Sequence, residues 1–382
     1  MQTKNAGRLV AVLAALALVT ALARAQRIPD RLSDQEFWKL VNDISEPGGY
    51  FRSDNFLSNE RQFQYVIPRL QSTIKPGNVY LGVGPEQNFT YIVALQPKLA
   101  IIFDIRRQNM VEHLLYKVLF ESSPDRAEFL SKLFCRARPA GLDSTSNIAA
   151  IMAAYQAAAA DSVLGRRTLA SVKETLSKRG FTLTDTDTAQ LAYVYGAFCI
   201  SGPDLDYNYP RSRGGGGGGG GGGFGRGGGM PTYGELMEAT DTANVSRSYL
   251  ATETNYRALR SLEQRNLVVP VVGDFAGPKA IRAVGQYLKD RGATVGAFYA
   301  SNVEQYLFQD PDNWRKYYEN VATLPLDSAS SFIRSVGGGF GFGGGGRGGV
   351  RLGSVLCPIQ ELLAAYKAGK IQSYSDVIAM SR

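Results

Sequence analysis

The 382-residue sequence is poor in the residue types that bind transition metals. It contains a single histidine, His113, and three cysteines. One histidine excludes multi-histidine sites, and Cys135, Cys199 and Cys357 form no CxxC pair, so no metal centre is predicted. Each cysteine stands among apolar neighbours, which indicates a buried small side chain, while one pair could still bridge in an oxidising compartment. His113 is predicted to be a structural or surface residue.

Runs of positive charge are also missing. The chain has 42 lysines and arginines against 34 acidic residues, but it has no clustered basic helix, so we predict no binding to nucleic acid. Two glycine runs, residues 214–229 and 337–349, are similar to the arginine and glycine boxes of RNA-binding proteins, yet each run holds one arginine. We predict that both are flexible loops, because polyglycine cannot pack into a core.

The apolar run at the amino terminus, residues 9–23, is short for a membrane span, which needs about 20 residues. Two basic residues precede the run, and small residues, Ala23 and Ala25, stand before the predicted cleavage point. This order is typical of an export signal, so residues 1–25 are predicted to be cleaved after Ala25. The mature chain is then secreted or periplasmic, with no stable membrane span. An uncleaved membrane anchor is the alternative.

Apolar and amphipathic segments alternate along the rest of the chain. Residues 26–75 predict a helical segment, and residues 76–140 and 266–382 each alternate strands with helices. Between them, residues 141–265 are helical in pattern and are predicted to form an insertion that covers the ligand edge of the sheet. Strands separated by helices predict an α/β fold, namely a doubly wound, mostly parallel, Rossmann-like sheet with a large helical insertion.

One strand, helix, strand unit carries the main binding motif. A short apolar run ends in a turn with Gly82 and Gly84, and the next apolar run ends at Asp104, 22 residues after Gly82. This spacing suits the first half of a nucleoside-binding sheet, in which the acid accepts hydrogen bonds from ribose hydroxyls. Glu86 would put a negative charge where a pyrophosphate lies, so NAD and FAD are disfavoured and a neutral or cationic ligand is favoured.

Ligands of parallel sheets bind beyond the carboxyl ends of the strands, so the residues that follow each predicted strand are the site candidates. The alternative is that they are ordinary caps and turn residues. The predicted binding residues are Gly82, Gly84, Glu86, Asn88, Asp104, Arg106 and Asp274, and the catalytic candidates are Ser301, Asn302 and Glu304.

Two resemblances add to this interpretation. The pair Gly82 and Gly84 resembles the first motif of class I methyltransferases, Asp104 resembles their ribose-binding acid, and Asp274 resembles the acid of a GD pair near the adenine. This resemblance implies a methyltransferase-like core with S-adenosylmethionine as cofactor. The segments GGYFRSDNFLSNE, YLGVGPEQNFTYI, VVPVVGDFAGPKAIRAV and FYASNVEQYLF resemble a family of uncharacterised bacterial proteins, many with export signals, and that resemblance implies no chemistry.

The sequence thus leads to two hypotheses. The first is an exported protein with a methyltransferase-like fold that binds a small nucleoside-like or cationic ligand at the strand carboxyl edge. Methyl transfer itself meets an obstacle, because S-adenosylmethionine is made in the cytosol. The second is a non-catalytic binding or scaffold protein of the envelope with a degenerate cofactor site. The fold alone does not decide between them.

Overall fold

The structure, a computed structural model, describes residues 27–209, 230–336 and 353–382. Three segments with predictions of their own lie outside the described residues: the export signal 1–25 and the two glycine runs 214–229 and 337–349.

The centre of the fold is a six-stranded sheet with the strand order β3-β2-β1-β4-β5-β6. The first five strands are parallel, and β6 runs antiparallel to β5. The predicted α/β fold with a mostly parallel sheet is therefore confirmed, and its order is consistent with a Rossmann-like sheet. The strands are β1 (Val79–Val83), β2 (Ala100–Asp104), β3 (Val268–Val272), β4 (Val295–Ser301), β5 (Leu326–Val336) and β6 (Gly353–Pro358).

Helices connect the strands and precede them. Two short 3-10 helices, Phe63–Val66 and Gly202–Asp204, accompany the α-helices. In the described residues the α-helices are α1 (Asp34–Ile44), α2 (Ile67–Thr73), α3 (Gln87–Leu95), α4 (Arg107–Ser122), α5 (Arg126–Phe134), α6 (Ile148–Ala157), α7 (Ser162–Lys178), α8 (Asp185–Ser201), α9 (Tyr233–Glu238), α10 (Glu253–Gln264), α11 (Ala280–Lys289), α12 (Val303–Leu307), α13 (Asn313–Val321), α14 (Ile359–Lys367) and α15 (Tyr374–Ala379).

Both faces of the sheet are covered by helices. Successive side chains of a strand point to opposite faces, so Phe298 and Tyr299 of β4 mark the two sides. Tyr299 packs on Tyr91 of α3, with ring centroids 5.3 Å apart, whereas Phe298 lies 6.4 Å from Tyr317 of α13. The core is therefore two layers, one on each face of a fully buried set of strands.

Local sequence explains where several elements begin and end. Ser33 and Glu36 form a capping box at the start of α1. Pro68 lies in the first turn of α2, where its missing N–H costs no hydrogen bond. Pro270 lies in β3, which is the edge strand of the sheet, where proline is tolerated.

The described part of residues 141–265 contains α6 to α10 and no strand. Helices α7 and α8 pack on α4, so the helical block lies over the helix that follows β2. A disulfide joins Cys135 at the end of α5 to Cys199 in α8, and Cys357 is free and buried. One pair of cysteines is therefore bridged, which the sequence had left open. Among the described residues, no helix is both long and apolar enough to cross a bilayer.

Candidate functional site

A pocket of about 180 Å³ lies beyond the carboxyl ends of β1, β2, β3 and β4. The chain winds from β1 to β2 and β3 on one side and continues with β4 and β5 on the other, so β1 and β4 flank the point where the strand order reverses. Ligands of open α/β sheets bind at that point. The pocket walls include the strand-end residues Gly84, Asp104, Arg106, Asp274, Ser301 and Asn302.

Two predicted binding residues shape the loop after β1 without lining the pocket. A side chain at Gly82 would place its Cβ 1.8 Å from Oδ1 of Asn88, so glycine is needed there for close packing. Tyr80 donates its hydroxyl to the same oxygen at 2.9 Å. The Asn88 amide nitrogen donates to the carbonyls of Gly84 and Pro85, at 3.2 and 2.7 Å. Gly82 and Asn88 therefore hold the loop in shape.

Gly84 is the part of this loop that reaches the pocket. Its φ of +76° is a conformation that favours glycine. Its N–H donates to the carbonyl of Phe103 at 3.0 Å, and Pro85, the next residue, has no N–H. Of the two backbone positions that could donate to a phosphate, Gly84 already donates within the protein and Pro85 has no N–H, which argues against a pyrophosphate here. The Gly84 carbonyl accepts from Nε2 of His113 at 2.9 Å, and burial lowers the pKa of His113 to about 4.

Glu86 is completely buried behind the glycine loop and is not among the residues of the pocket wall. Its Oε1 accepts from the N–H of Ser58 at 3.4 Å, and its Oε2 has no hydrogen-bond partner within the described residues. Burial raises the pKa of Glu86 to about 8, so the carboxyl group is protonated at neutral pH. Glu112 of α4 is also buried, and burial together with Glu86 raises its pKa.

Asp104 lines the pocket, and its carboxylate is engaged by Arg106. The Arg106 Nε and a terminal nitrogen donate to the two Asp104 oxygens at 2.9 and 2.7 Å, and the Arg106 backbone N–H adds a third bond at 2.8 Å. The other terminal nitrogen of Arg106 donates to the carbonyls of Ser53 and Asp54. Arg106 therefore joins the predicted ribose-binding acid to the loop that covers the pocket.

Asp274 reaches the pocket wall from the loop after β3. Its Oδ1 accepts from the N–H of Ala276 at 2.9 Å, and the side chain is only partly buried. Glu46 fills the start of α11, where it accepts from the backbone N–H groups of Asp274, Lys279 and Ala280 at 2.8 to 3.0 Å. The amino terminus of α11, where an anionic ligand could bind, is thus occupied by the carboxylate of Glu46.

The three catalytic candidates separate into two environments. Ser301 and Asn302 line the pocket. Glu304 is buried elsewhere, where its carboxylate pairs with Arg334 and accepts from the hydroxyl of Tyr318 at 2.7 Å. A tyrosine hydroxyl and a buried ion pair are the surroundings of a structural carboxylate, and the structure does not bring Glu304 to the pocket wall.

Sequence reasoning missed Glu60, which lies beside Ser301. Glu60 is completely buried and accepts four hydrogen bonds. Its Oε1 accepts from Tyr299 and Ser301, both at 2.7 Å, and its Oε2 accepts from Gln87 at 3.0 Å and Ser354 at 3.1 Å. Glu60 precedes a helix in a polar stretch, so only the fold reveals that its partners come from three segments, namely α3, β4 and β6.

The contribution of the segment before β1 to the roof of the pocket was also missed. Phe51 of that segment and Tyr207 of the helical block, which was predicted to cover this edge, both line the pocket. Aromatic rings are frequent in the walls, and the acidic and basic side chains there are Asp104, Asp274 and Arg106, a formal excess of one negative charge. The aromatic lining residues are Phe51, Tyr207, Phe275, Tyr299 and Tyr306.

The chain belongs to the DUF7790 family, described as a domain of unknown function, which it matches over residues 55–194 and 230–351. The match covers more than half of the chain and includes every pocket residue except Phe51 and Tyr207. The comparison with curated proteins gave no match.

Proposed function

We propose that this protein is exported and binds a compact neutral or cationic ligand of nucleoside-like or ammonium type in the pocket at the carboxyl edge of the sheet. The observation that carries the proposal is the convergence of four strand ends on one cavity, through Gly84, Asp104, Asp274 and Asn302. A Rossmann-like sheet places its ligands at this position.

The walls favour a cation or a donor-rich ring over an anion. The pocket holds one excess negative charge, and five aromatic side chains contribute to its walls. Aromatic faces attract cations, and they also stack on flat rings. Asp274 uses one oxygen for the loop, which leaves the other to accept from an amino group of the ligand.

The proposal includes a methyltransferase-like variant of the fold, supported by the positions of the glycine loop, Asp104 and Asp274 on three adjacent strands. The volume of about 180 Å³ is below the range of about 300 to 1,000 Å³ of pockets for drug-sized ligands. S-Adenosylmethionine would therefore need the roof to move, and Asp104 would have to share its carboxylate with Arg106. A compact ligand needs neither change.

A second candidate function is a non-catalytic binding or scaffold protein of the envelope. It is favoured by one observation, that the predicted ribose-binding acid Asp104 already accepts three hydrogen bonds from Arg106. In that case the cofactor site is degenerate, and internal side chains satisfy its polar groups.

Isothermal titration calorimetry of the mature protein tests the proposal. The ligands are adenosine, S-adenosylmethionine, S-adenosylhomocysteine and choline, with 3,3-dimethylbutan-1-ol as the uncharged isostere of choline. We expect saturable binding of adenosine or choline that Asp274→Asn weakens roughly tenfold or more, since the negative charge that faces the ligand is lost.

Asp30→Asn is the matched control, because Asp30 is exposed and outside the pocket. It removes the same charge from the protein and should leave the affinity unchanged. Absence of binding by all five compounds contradicts the proposal and favours the scaffold protein. Equal loss in both variants shows that net charge, and not the pocket, attracts the ligand.

A further inference from the structure

Ser301 occupies a strained turn between a strand and a helix. It is the last residue of β4, and α12 begins two residues later at Val303. Its φ of +47° is left-handed, a conformation that strains a non-glycine residue and that clusters at active sites. In hydrolase nucleophile elbows, a strained turn of this kind exposes a serine at the top of the sheet. The flanking glycines of that motif are absent, since Tyr299 and Val303 stand in their places.

The Ser301 hydroxyl also has a carboxylate within reach. It donates to Oε1 of Glu60 at 2.7 Å, and Tyr299 donates to the same oxygen. Gln87 and Ser354 donate to Oε2 at 3.0 and 3.1 Å. Four donors around one buried group fix its rotamer and match the acceptor-only character of an ionised carboxylate.

A nucleophile in contact with a base that other groups orient is the arrangement used in covalent catalysis. We propose that Ser301 is a nucleophile with Glu60 as its general base, and that the pocket carries out acyl transfer from small carboxylic esters. The inference rests on the proposed access of small molecules to this pocket and adds a reaction to it.

The reaction has two balanced steps. Ser301 Oγ attacks the ester carbonyl carbon, and its proton passes to the Glu60 carboxylate. The bond from the carbonyl carbon to the alcohol oxygen then breaks, and Glu60 returns the proton to the departing alcohol. A water molecule attacks the acyl-serine, gives its proton to Glu60 and releases the acid as Ser301 Oγ recovers that proton.

The surroundings define the class of substrate. The small cavity with mostly apolar and aromatic walls fits a short ester. Asn302 and Asn59 lie in the same walls and carry amide donors for the negative oxygen of the tetrahedral intermediate. A carboxylate is a weaker base than an imidazole, so we expect slow turnover and place the main test on formation of the covalent bond.

The test is labelling of the mature protein with a small fluorophosphonate, followed by intact mass and peptide mapping. We expect one label per chain, on Ser301, and none in Ser301→Ala. Glu60→Gln keeps the shape of the side chain and removes the base, so labelling should slow by about 10²- to 10⁴-fold. Ser72→Ala is the matched control, since Ser72 is exposed and outside the pocket; it should label like the wild type.

The pH profile of the wild-type labelling rate gives a readout that needs no variant. With a general base beside the hydroxyl, the rate does not follow the hydroxide concentration, whereas the rate of an unassisted serine rises about tenfold per pH unit. Unlabelled Ser301, or a hydroxide-like profile, overturns the inference. If calorimetry detects a ligand while Ser301 stays unlabelled, the binding proposal stands without the reaction. If Ser301 is labelled and none of the five compounds binds, the reaction stands and the proposed ligand class fails.

Discussion

At the scale of single residues, the two glycines of the loop after β1 belong to one motif but have different roles. Gly82 and Gly84 were singled out together, but Gly84 lines the pocket whereas Gly82 makes room for Asn88. The spacing of the two glycines along the chain does not reveal these two roles, because they depend on the side chain of Asn88, which folds back onto the loop.

Gly82→Ala should destabilise the protein. Its methyl group would lie 1.8 Å from Asn88 Oδ1, so we expect the free energy of unfolding to fall by about 1–3 kcal/mol, as for other overpacked sites. Gly196→Ala is the matched control, because Gly196 lies in α8 with no atom within 4 Å of the added carbon. There the helix propensity of alanine should raise stability by about 0.5–1 kcal/mol. Urea unfolding of both variants checks the two opposite signs.

Glu86→Gln should change how stability depends on pH. Burial raises the folded-state pKa of Glu86 from 4.5 to about 8. The folded protein therefore keeps a proton that the unfolded chain releases, and the stabilising effect is complete below pH 4.5 and is lost as pH rises towards 8. Glutamine stays neutral, so the melting temperature of the variant should exceed that of the wild type at pH 9 and differ little at pH 5.

The exposed Glu174→Gln serves as the control for that pH series. Glu174 lies in α7 and pairs with Lys178 at the surface, and its own pKa is lowered by that partner. Its replacement should leave the fall in stability between pH 5 and 9 unchanged. Part of the fall should also persist in Glu86→Gln, because burial raises the pKa of Glu263 to about 8 as well. An unchanged pH dependence in Glu86→Gln contradicts the assignment.

At the scale of elements, strands and amphipathic helices were predictable because burial determines the spacing of apolar residues and the length of apolar runs in the sequence. The five residues of β1, of β2 and of β3 are all buried, and each is a short apolar run bounded by turn residues. The carboxyl-edge position of Asp104, Asp274 and Ser301 follows from strand direction alone. The partners of those residues do not follow, since Arg106 folds back on Asp104 and Glu60 comes from a segment about 240 residues before Ser301.

The disulfide between α5 and α8 should make a large contribution to stability. It joins residues 64 positions apart, and the chain-entropy estimate for such a loop is about 4 kcal/mol. Thermal unfolding of the double variant Cys135→Ala, Cys199→Ala should therefore show a melting temperature well below that of the wild type. Dithiothreitol should lower the melting temperature of the wild type and leave the double variant unaffected. A wild type that is insensitive to the reductant contradicts the bridge.

At the scale of the whole molecule, the disulfide and the amino-terminal sequence both support the proposed export. Disulfides persist in oxidising environments, and residues 1–25 have the order of charge and apolar residues that is typical of an export signal.

The helical block was predicted to cover the ligand edge of the sheet. Among the described residues, it meets the pocket only through Tyr207, and it packs mainly on helix α4.

Expression of the full chain in a bacterium with an intact export pathway tests the location. We expect the protein in the periplasmic fraction with Gln26 as its first residue, because small residues stand before the predicted cleavage point. Intact mass and amino-terminal sequencing check this. Ala25→Arg should block cleavage, and Cys357→Ala, which alters neither the signal nor the bridge, should be processed normally. Recovery of uncleaved protein in the membrane fraction supports the anchor instead.

The edge strand β3 has a consequence for self-association. Pro270 removes one donor from the open edge, while the N–H of Glu46 and the hydroxyl of Ser45 already bond to the Val272 backbone. An edge blocked in this way cannot recruit a strand from a second molecule. The sheet should therefore not grow into a fibril or a continuous intermolecular sheet through this side, even at the high concentrations reached during overexpression.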